Sequence, residues 1–239
     1  MSRMPDIDDA TIAASFPHKP VTVIPPAATA GLPVPDAWQG VVAAAGGAAR
    51  AEATRSLWPT AMLHLIPKFA QVLTDRLIDV RLVSIEGDLA LAYLVDDTSA
   101  GRVVTWIGYD PATFGTPPPF WEVFPEQLTA FLQGVHAGFT SQDTYSFGVT
   151  RPRYMATIAD TANSPEGIPF WDEIQPYPST RLLQISAQGP GMLYCLSPDL
   201  PAEHLAIADE VEIEVVEFWP AIDDLLMDRF LAQDYGSEG

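Results

Sequence analysis

The chain has 239 residues, of which 48% are hydrophobic and 18% charged, so it has enough apolar content for a packed core and is not a disordered chain. Its formal net charge of −19 attracts cationic partners and repels nucleic acid and anionic membrane. One cysteine, Cys195, excludes an intrachain disulfide and fits a reducing cytoplasm. Because neither a membrane span nor a signal-peptide core is visible, we expect a cytoplasmic protein that binds neither membrane nor nucleic acid directly.

The N-terminal part of the chain divides into a proline-rich segment and a helical region. Residues 1–36 are rich in Pro and Ala, and because proline fixes φ and removes an amide donor, we predict an extended arm that is either partly disordered or laid over the surface of the domain. Residues 37–239 are predicted to form a single domain that begins with a helix over residues 37–56. A second helix is predicted through about Leu77, with a break at Pro67. Its apolar stripe consists of Met62, Ile66, Phe69, Leu73 and Leu77.

The middle of the chain changes from helical to strand periodicity. Two apolar runs, Val80–Ile85 and Leu89–Val95, flank Glu86-Gly87-Asp88 and predict a β-hairpin. A third strand is predicted over Arg102–Tyr109, after a polar turn. A helix is then predicted from Pro125, because proline is favoured at the first helical position.

The second half of the chain is strand-like and rich in turns. A final helix is predicted to open at Pro220, with Asp223 and Asp224 in its first turn. Helices followed by strands and a last helix predict an α+β fold, with a mostly antiparallel sheet flanked by helices. The candidate strands are Thr144–Val149, Tyr154–Ala159, Arg181–Gln188, Gly191–Leu196 and Glu210–Phe218.

Acidic residues are concentrated at the C-terminal end. Residues 199–239 hold twelve of the 31 acidic residues and one of the 12 basic residues. Within them, Glu210, Glu212 and Glu214 alternate with apolar residues, which predicts a strand with one core face and one row of carboxylates. Such a row can be a solvated face, a protected sheet edge or a face that docks a protein. Catalysis is less suited to it, because same-face residues on a strand lie about 7 Å apart.

Two short sequence strings combine aromatic and acidic residues. They are Pro119-Phe120-Trp121-Glu122 and Pro169-Phe170-Trp171-Asp172. Aromatic residues near a turn can cover the core, and where they are exposed they can anchor an interface. Together with the three glutamates, the predicted partner-binding residues are Trp121, Trp171, Asp172 and Glu173.

Catalytic and metal-binding motifs are not found. The four histidines show no ligand spacing for zinc, and the sequence has no nucleophile elbow and no phosphate-binding glycine loop. We therefore predict no catalytic residue, no metal and no cofactor. His136 closes a predicted helix and is expected to be a structural histidine. Cys195 lies in an apolar stretch and is predicted to be a buried strand thiol.

Two parts of the chain resemble the SUKH superfamily, which takes part of its name from a yeast cell-wall synthesis regulator. Within Phe120–Phe139, a Trp precedes a helix that opens at Phe-Pro and closes at His-Ala-Gly-Phe. The C-terminal order is also similar: a strand over Leu182–Ala187, a Gly-Pro-Gly turn, a strand over Leu193–Leu196, an acidic strand, and a helix after Phe218. The resemblance covers residues 57–239.

The resemblance implies an α+β fold and, in bacteria, often an immunity protein that binds and neutralises a toxin. The charge agrees, because a toxin that attacks nucleic acid tends to be basic and an acidic inhibitor is steered towards it. The sequence therefore predicts a cytoplasmic, non-enzymatic immunity protein with a basic toxin as its partner. Two alternatives stay open. One is an intracellular scaffold or regulatory module without a toxin partner, and the other is a small hydrolase or transferase with a deep pocket at His136.

Overall fold

The computed structural model describes residues 7–16, 19–97, 100–189, 191–209 and 212–232, and it has two antiparallel sheets flanked by helices. The predicted α+β class is confirmed. The helices are α1 (Asp9–Ala14), α2 (Gln39–Ala43), α3 (Gly47–Arg55), α4 (Thr60–Leu65), α5 (Pro67–Asp75), α6 (Glu126–Gly134), α7 (Ile158–Thr161), α8 (Pro169–Ile174) and α9 (Phe218–Asp228). The strands are β1 (Val21–Val23), β2 (Leu77–Ile85), β3 (Asp88–Asp97), β4 (Arg102–Tyr109), β5 (Phe139–Ser141), β6 (Leu183–Ala187), β7 (Leu193–Leu196), β8 (His204–Ala208) and β9 (Ile213–Glu217).

The first sheet has five strands in the order β1-β2-β3-β4-β5. The hairpin predicted between its long central strands is confirmed, with Ile85 paired to Asp88. Glu86 and Gly87 both have positive φ, 54° and 92°. Two successive residues of that kind form the turn whose twist matches the flanking strands. The break predicted at Pro67 is also confirmed, because α4 ends at Leu65 and α5 begins at the proline.

The second sheet has four strands in the order β6-β7-β8-β9. Strands β6, β7 and β9 fall within predicted segments, and the predicted residue Pro190 in the β6–β7 turn lies outside the described residues. Strand β8 was not predicted. The predictions of strands at Thr144–Val149 and Tyr154–Ala159 are wrong, because the first is an irregular loop and the second forms short helical turns. The final helix begins at Phe218 rather than at Pro220.

An irregular segment, residues 146–150, joins the two sheets by main-chain hydrogen bonds. On one side the carbonyl of Val149 accepts from the amide of Phe139 in β5, at 2.8 Å. On the other side the amide of Thr150 donates to the carbonyl of Ile185 in β6, at 2.8 Å. These strand-like residues therefore hydrogen-bond to two different sheets and do not form a regular ladder with either. This is why the strand prediction failed.

The described part of the N-terminal segment packs on the first sheet, which agrees with the predicted alternative of an arm laid over the surface. Strand β1 pairs antiparallel with β2, and α1 buries Ile12. Phe16 is also buried against the same face of the sheet. That face consists of Val83, Ile85, Ala90, Ala92, Leu94, Ile107 and Tyr109. An apolar sheet face of this size must be covered, and the apolar residues between the prolines cover it.

The last helix is joined to the middle of the chain through a buried carboxylate. Asp223 in α9 is almost completely buried, and its two oxygens accept from the amides of Lys68 and Phe69, at 3.0 and 2.9 Å. These amides belong to the first turn of α5, where a helix lacks internal acceptors. A carboxylate at this position also interacts favourably with the helix dipole. The neighbouring Asp224 forms an exposed ion pair with the Lys68 side chain.

We predict that Asp223→Ala destabilises the fold by about 1–3 kcal/mol, because it leaves two helix amides without an acceptor. The matched control is Asp224→Ala, which removes an exposed pair and should cost less than about 1 kcal/mol. Urea unfolding followed by circular dichroism gives both values. Equal losses in the two variants would contradict the assigned role of Asp223.

Candidate functional site

The second sheet is covered on both faces, and its outer face carries the surface that we consider functional. Alternation in β7 turns Tyr194 and Leu196 towards the main core and Cys195 towards the outer face. The buried outer cluster consists of Ile158, Leu182, Cys195, Ala206 and Ala208. Helix α8 and the edge strand β9 both pack against this cluster, through Trp171 and Ile213 respectively. Trp171 of α8 and Ile213 of β9 therefore lie on the same outer face of the second sheet.

Trp171 positions α8 and is not the exposed anchor that the sequence suggested. The indole is half-buried against the outer cluster, and its Nε1 donates to the carbonyl of Tyr177 at 3.0 Å. Trp121 is also half-buried. Its ring centroid lies 5.2 Å from that of Phe114 and 4.7 Å from that of Phe124, and the ring packs against the main core. Both tryptophans thus cover core clusters.

Phe170 and Ile174 are the exposed apolar residues of α8. Their side chains are 71% and 53% exposed, and among the described residues Phe170 is the most exposed aromatic. Residues four apart lie on the same face of a helix, so the two side chains form one apolar patch. The sequence pattern pointed instead to the neighbouring Trp171. The spacing of Phe170 and Ile174 after a helix-opening proline was the signal that could have identified them.

The chain segment that contains this patch has acidic residues and no basic ones. Glu173 is exposed, as predicted, whereas Asp172 has a structural contact, since its Oδ1 accepts from the Ser179 amide at 2.7 Å. Gly167 approaches the same carboxylate so closely that a Cβ would lie 2.3 Å from Oδ2. Residues 154–180 contain no Lys, Arg or His. Their acidic residues are Asp160, Glu166, Asp172 and Glu173.

Strand β9 adds further carboxylates, although its faces differ from the prediction. Glu212 and Glu214 are exposed, while Glu210 lies outside the described residues. The predicted division into one core face and one carboxylate row is wrong, because Val216 shares a face with Glu214 and packs against the main core. Ile213, on the opposite face, packs against the outer cluster. Both faces of the strand are apolar in part because the sheet is covered on both sides.

A groove of 590 Å³ lies where β9 runs into α9. Helices α4 and α5 form its other wall. Within it, Glu217 is the strand partner of His204, and the Lys68 side chain is paired with Asp224. Its polar and aromatic lining includes His64, Lys68, Glu203, His204, Glu217 and Trp219.

His136 lies in the main core and not in a pocket. It is completely buried, and its Nε2 is 2.6 Å from the hydroxyl of Tyr93. The indole Nε1 of Trp58 donates to that hydroxyl at 3.2 Å, so we assign the Tyr93 proton to His136 and the imidazole proton to Nδ1. The ring centroids of Phe131 and Phe139 lie 5.6 and 5.9 Å from the centroid of the imidazole. The deep pocket that the hydrolase alternative expected at His136 is contradicted, and its interpretation as a structural histidine is supported.

Other chemistry is limited in the part of the chain that the structure describes. No cluster of three or more His, Cys, Asp or Glu residues there could hold a metal ion. Cys195 is buried in β7, as predicted, and burial raises the pKa of its thiol. None of the described helices has the length and apolar character needed to cross a membrane.

Comparisons of this chain with protein-family models, curated proteins and solved structures find no match. Its function must therefore be argued from surface geometry and charge. The candidate surface comprises the α8 patch, on the outer face of the second sheet, and the exposed carboxylates Glu212 and Glu214 at its β9 edge, because together they offer exposed apolar area and one sign of charge.

We predict that stability falls on acidification below about pH 6.5 because of His136. Burial lowers the pKa of its imidazole from 6.5 to about 3, so between these values the unfolded chain binds a proton that the folded chain does not. The stabilisation is complete above pH 6.5 and decreases by roughly 1.4 kcal/mol for each pH unit below it. Urea unfolding at pH 7 and pH 5 measures this slope above the usual range of the carboxyl groups. A His136→Gln variant should have a shallower slope, and the same slope in both proteins would contradict the assignment.

Proposed function

We propose that this chain is an acidic immunity protein that binds a basic toxin and neutralises it by covering its active surface. The observation that carries the proposal is the exposed pair Phe170 and Ile174, in a segment of the chain without a single basic residue. Exposed apolar residues of this size that form one patch are typical of protein contacts. The resemblance to the SUKH superfamily supports a toxin as the partner.

The distribution of ion pairs supports a basic partner. Among the described residues, ten Lys and Arg side chains form ion pairs with carboxylates of the same chain, so their charge is already compensated. The sequence has 31 acidic residues against 12 basic ones, so a large excess of negative charge remains. On the α8 and β9 surface, Glu173, Glu212 and Glu214 are exposed. This field attracts a cationic protein over several ångströms and repels a nucleic acid.

Charge and apolar area have different tasks in such an interface. Complementary charge mainly raises the association rate, whereas buried aromatic and aliphatic anchors slow dissociation. Phe170 is suited to be the anchor, because Trp171 and the buried outer cluster fix the helix that presents it. A fixed side chain loses little conformational freedom on binding, so more of its burial energy contributes to affinity.

The experiment that tests the proposal is co-purification with the tagged full chain from its native cell, followed by mass spectrometry. A stoichiometric basic partner that arrests growth when expressed alone, and that no longer does so when this chain is co-expressed, is the expected result. A partner that has no effect on growth would overturn the toxin assignment and favour a scaffold or regulatory role. If no protein is retained at either low or high salt, the proposal fails.

We predict that the double variant Phe170→Ala/Ile174→Ala binds this partner about 30-fold or more weakly, mainly through faster dissociation. The matched control is Leu231→Ala. Leu231 is also an exposed apolar residue, 82% exposed, but it lies outside α8, next to Phe230, whose carbonyl accepts a hydrogen bond from Arg102. Surface plasmon resonance with the purified partner gives both rates. An unchanged dissociation rate in the double variant, or an equal change in the control, would remove α8 from the interface.

A further inference from the structure

Strand β9 has the longest uncovered sheet edge among the described residues. The first sheet ends at β5, whose outer amides donate to residues 146 and 149, and the second sheet begins at β6, whose outer edge is covered by residues 147–157. These segments close both inner edges. Strand β9 ends the second sheet, and no described residue pairs with its other side.

The register shows which main-chain groups point outwards from this edge. The amide of Phe218 donates to the Glu203 carbonyl at 2.8 Å, and the amide of Asp209 donates to the Glu212 carbonyl at 3.1 Å. In an antiparallel pair, hydrogen-bonded and non-hydrogen-bonded positions alternate. Even-numbered residues of β9 therefore bond to β8, and Ile213 and Val215 turn their amides and carbonyls away from the sheet. Glu217 turns only its amide outwards, because its carbonyl, as that of the N-cap of α9, accepts a hydrogen bond within the helix. A partner strand could bond to the outward groups of all three residues.

The other free edge is a poorer template. Strand β1 has only three residues and is bounded by Pro20 and Pro25. Its register with β2, together with the bond from Ile24 to Leu82, turns Val21 and Val23 outwards. Short edge strands flanked by proline are a usual protection against unwanted pairing. We therefore expect β1 to pair with an added strand less readily than β9, so that variants of β1 can serve as controls for variants of β9.

Charge selects the strand that β9 can accept. Glu214 and Glu217 are exposed and lie on opposite faces of the sheet, so carboxylates flank the free edge on both sides. A second copy of this chain would bring these carboxylates together and be repelled. An extended segment with lysine or arginine on both faces would instead pair its charges along the edge. At the end of the strand, Glu203 and Glu217 line the groove together with Lys68, whose charge is already paired with Asp224.

We propose that the partner of this protein adds an extended basic segment as a fifth, antiparallel strand to β9. This inference rests on the proposed function for the existence of a basic partner, and it specifies how part of that partner is held. Main-chain hydrogen bonds to Ile213, Val215 and Glu217 supply affinity, and the glutamates supply the preference for a basic sequence. The neighbouring α8 patch then receives a different, apolar part of the partner.

The test uses Val215→Pro in the full-length chain. The Val215 amide points away from β8, so proline removes an outward donor without breaking the existing ladder, and edge strands tolerate proline at such positions. The matched control is Val23→Pro, which removes an outward amide from β1. The probe is a short synthetic peptide of lysine and valine, blocked at both ends, and its control is the same peptide N-methylated at alternate residues.

We expect the probe to slow hydrogen exchange at Ile213, Val215 and Glu217 in the wild-type protein, and the N-methylated peptide to leave it unchanged. Val215→Pro should weaken binding about tenfold or more through the lost hydrogen bonds, whereas Val23→Pro should bind as the wild type does. Unchanged exchange at β9, or equal affinity for both peptides, would overturn the inference. These peptide measurements decide the matter even if Val215→Pro does not fold.

The same variants separate this inference from the proposed function. If the cellular partner binds Val215→Pro as tightly as wild type but loses affinity for the Phe170→Ala/Ile174→Ala protein, strand addition is excluded and the inhibitor proposal stands. If the peptide binds β9 but no basic cellular partner exists, the edge is a peptide-binding site and the toxin proposal fails.

Discussion

The hydrogen bonds of residues 146–150 are the constraint on which the rest of the architecture depends. They connect β5 to β6 and so convert two short sheets into one continuous hydrogen-bonded layer. Gly148 makes this possible, because a Cβ at that position would lie 2.1 Å from the carbonyl oxygen of Phe139. The connection covers both inner edges. It leaves β1 at one end of the layer and β9 at the other.

The position of the acidic surface follows from this arrangement. Several arginines form ion pairs near the first sheet. Arg50 and Arg81 both pair with Asp79, and Arg151 and Arg153 both pair with Asp88. These pairs hold the pKa values of both carboxyl groups below the usual range, despite the opposing effect of burial. Helix α8 and strand β9 themselves contain carboxylates but no Lys or Arg. The local charge of these two elements is therefore negative, beside the exposed Phe170.

The long, strongly periodic elements could be predicted from the sequence, and the short ones could not. Strands β2, β3 and β4 have eight to ten residues with turn signals between them, so periodicity alone identified them. Strand β8 has five residues, two of them alanine, and only its pairing with β7 and β9 makes it a strand. For the N-terminal segment the sequence left disorder and surface packing both open, because the sheet face that it covers is formed by residues distant in sequence.

Exposure of the candidate carboxylates could be predicted from the sequence, and the structure shows it for Asp172, Glu173, Glu212 and Glu214. Their role in binding a partner stays a prediction. The sequence could not show which of Phe170 and Trp171 is buried and which is exposed. Trp171 is the one that packs on the outer cluster, because its indole donates to the Tyr177 carbonyl and lies against the second sheet.

The most direct test of the account is the association rate of the co-purified partner at several ionic strengths, for wild type and for the variant Glu173→Lys/Glu212→Lys/Glu214→Lys. If the acidic end of the molecule docks a basic partner, the wild-type rate is high at low salt and falls steeply as salt is added. The variant then associates slowly, with a rate that hardly depends on salt. Equal rates and equal salt dependence in the two proteins would contradict the central claim that α8 and β9 form the docking surface.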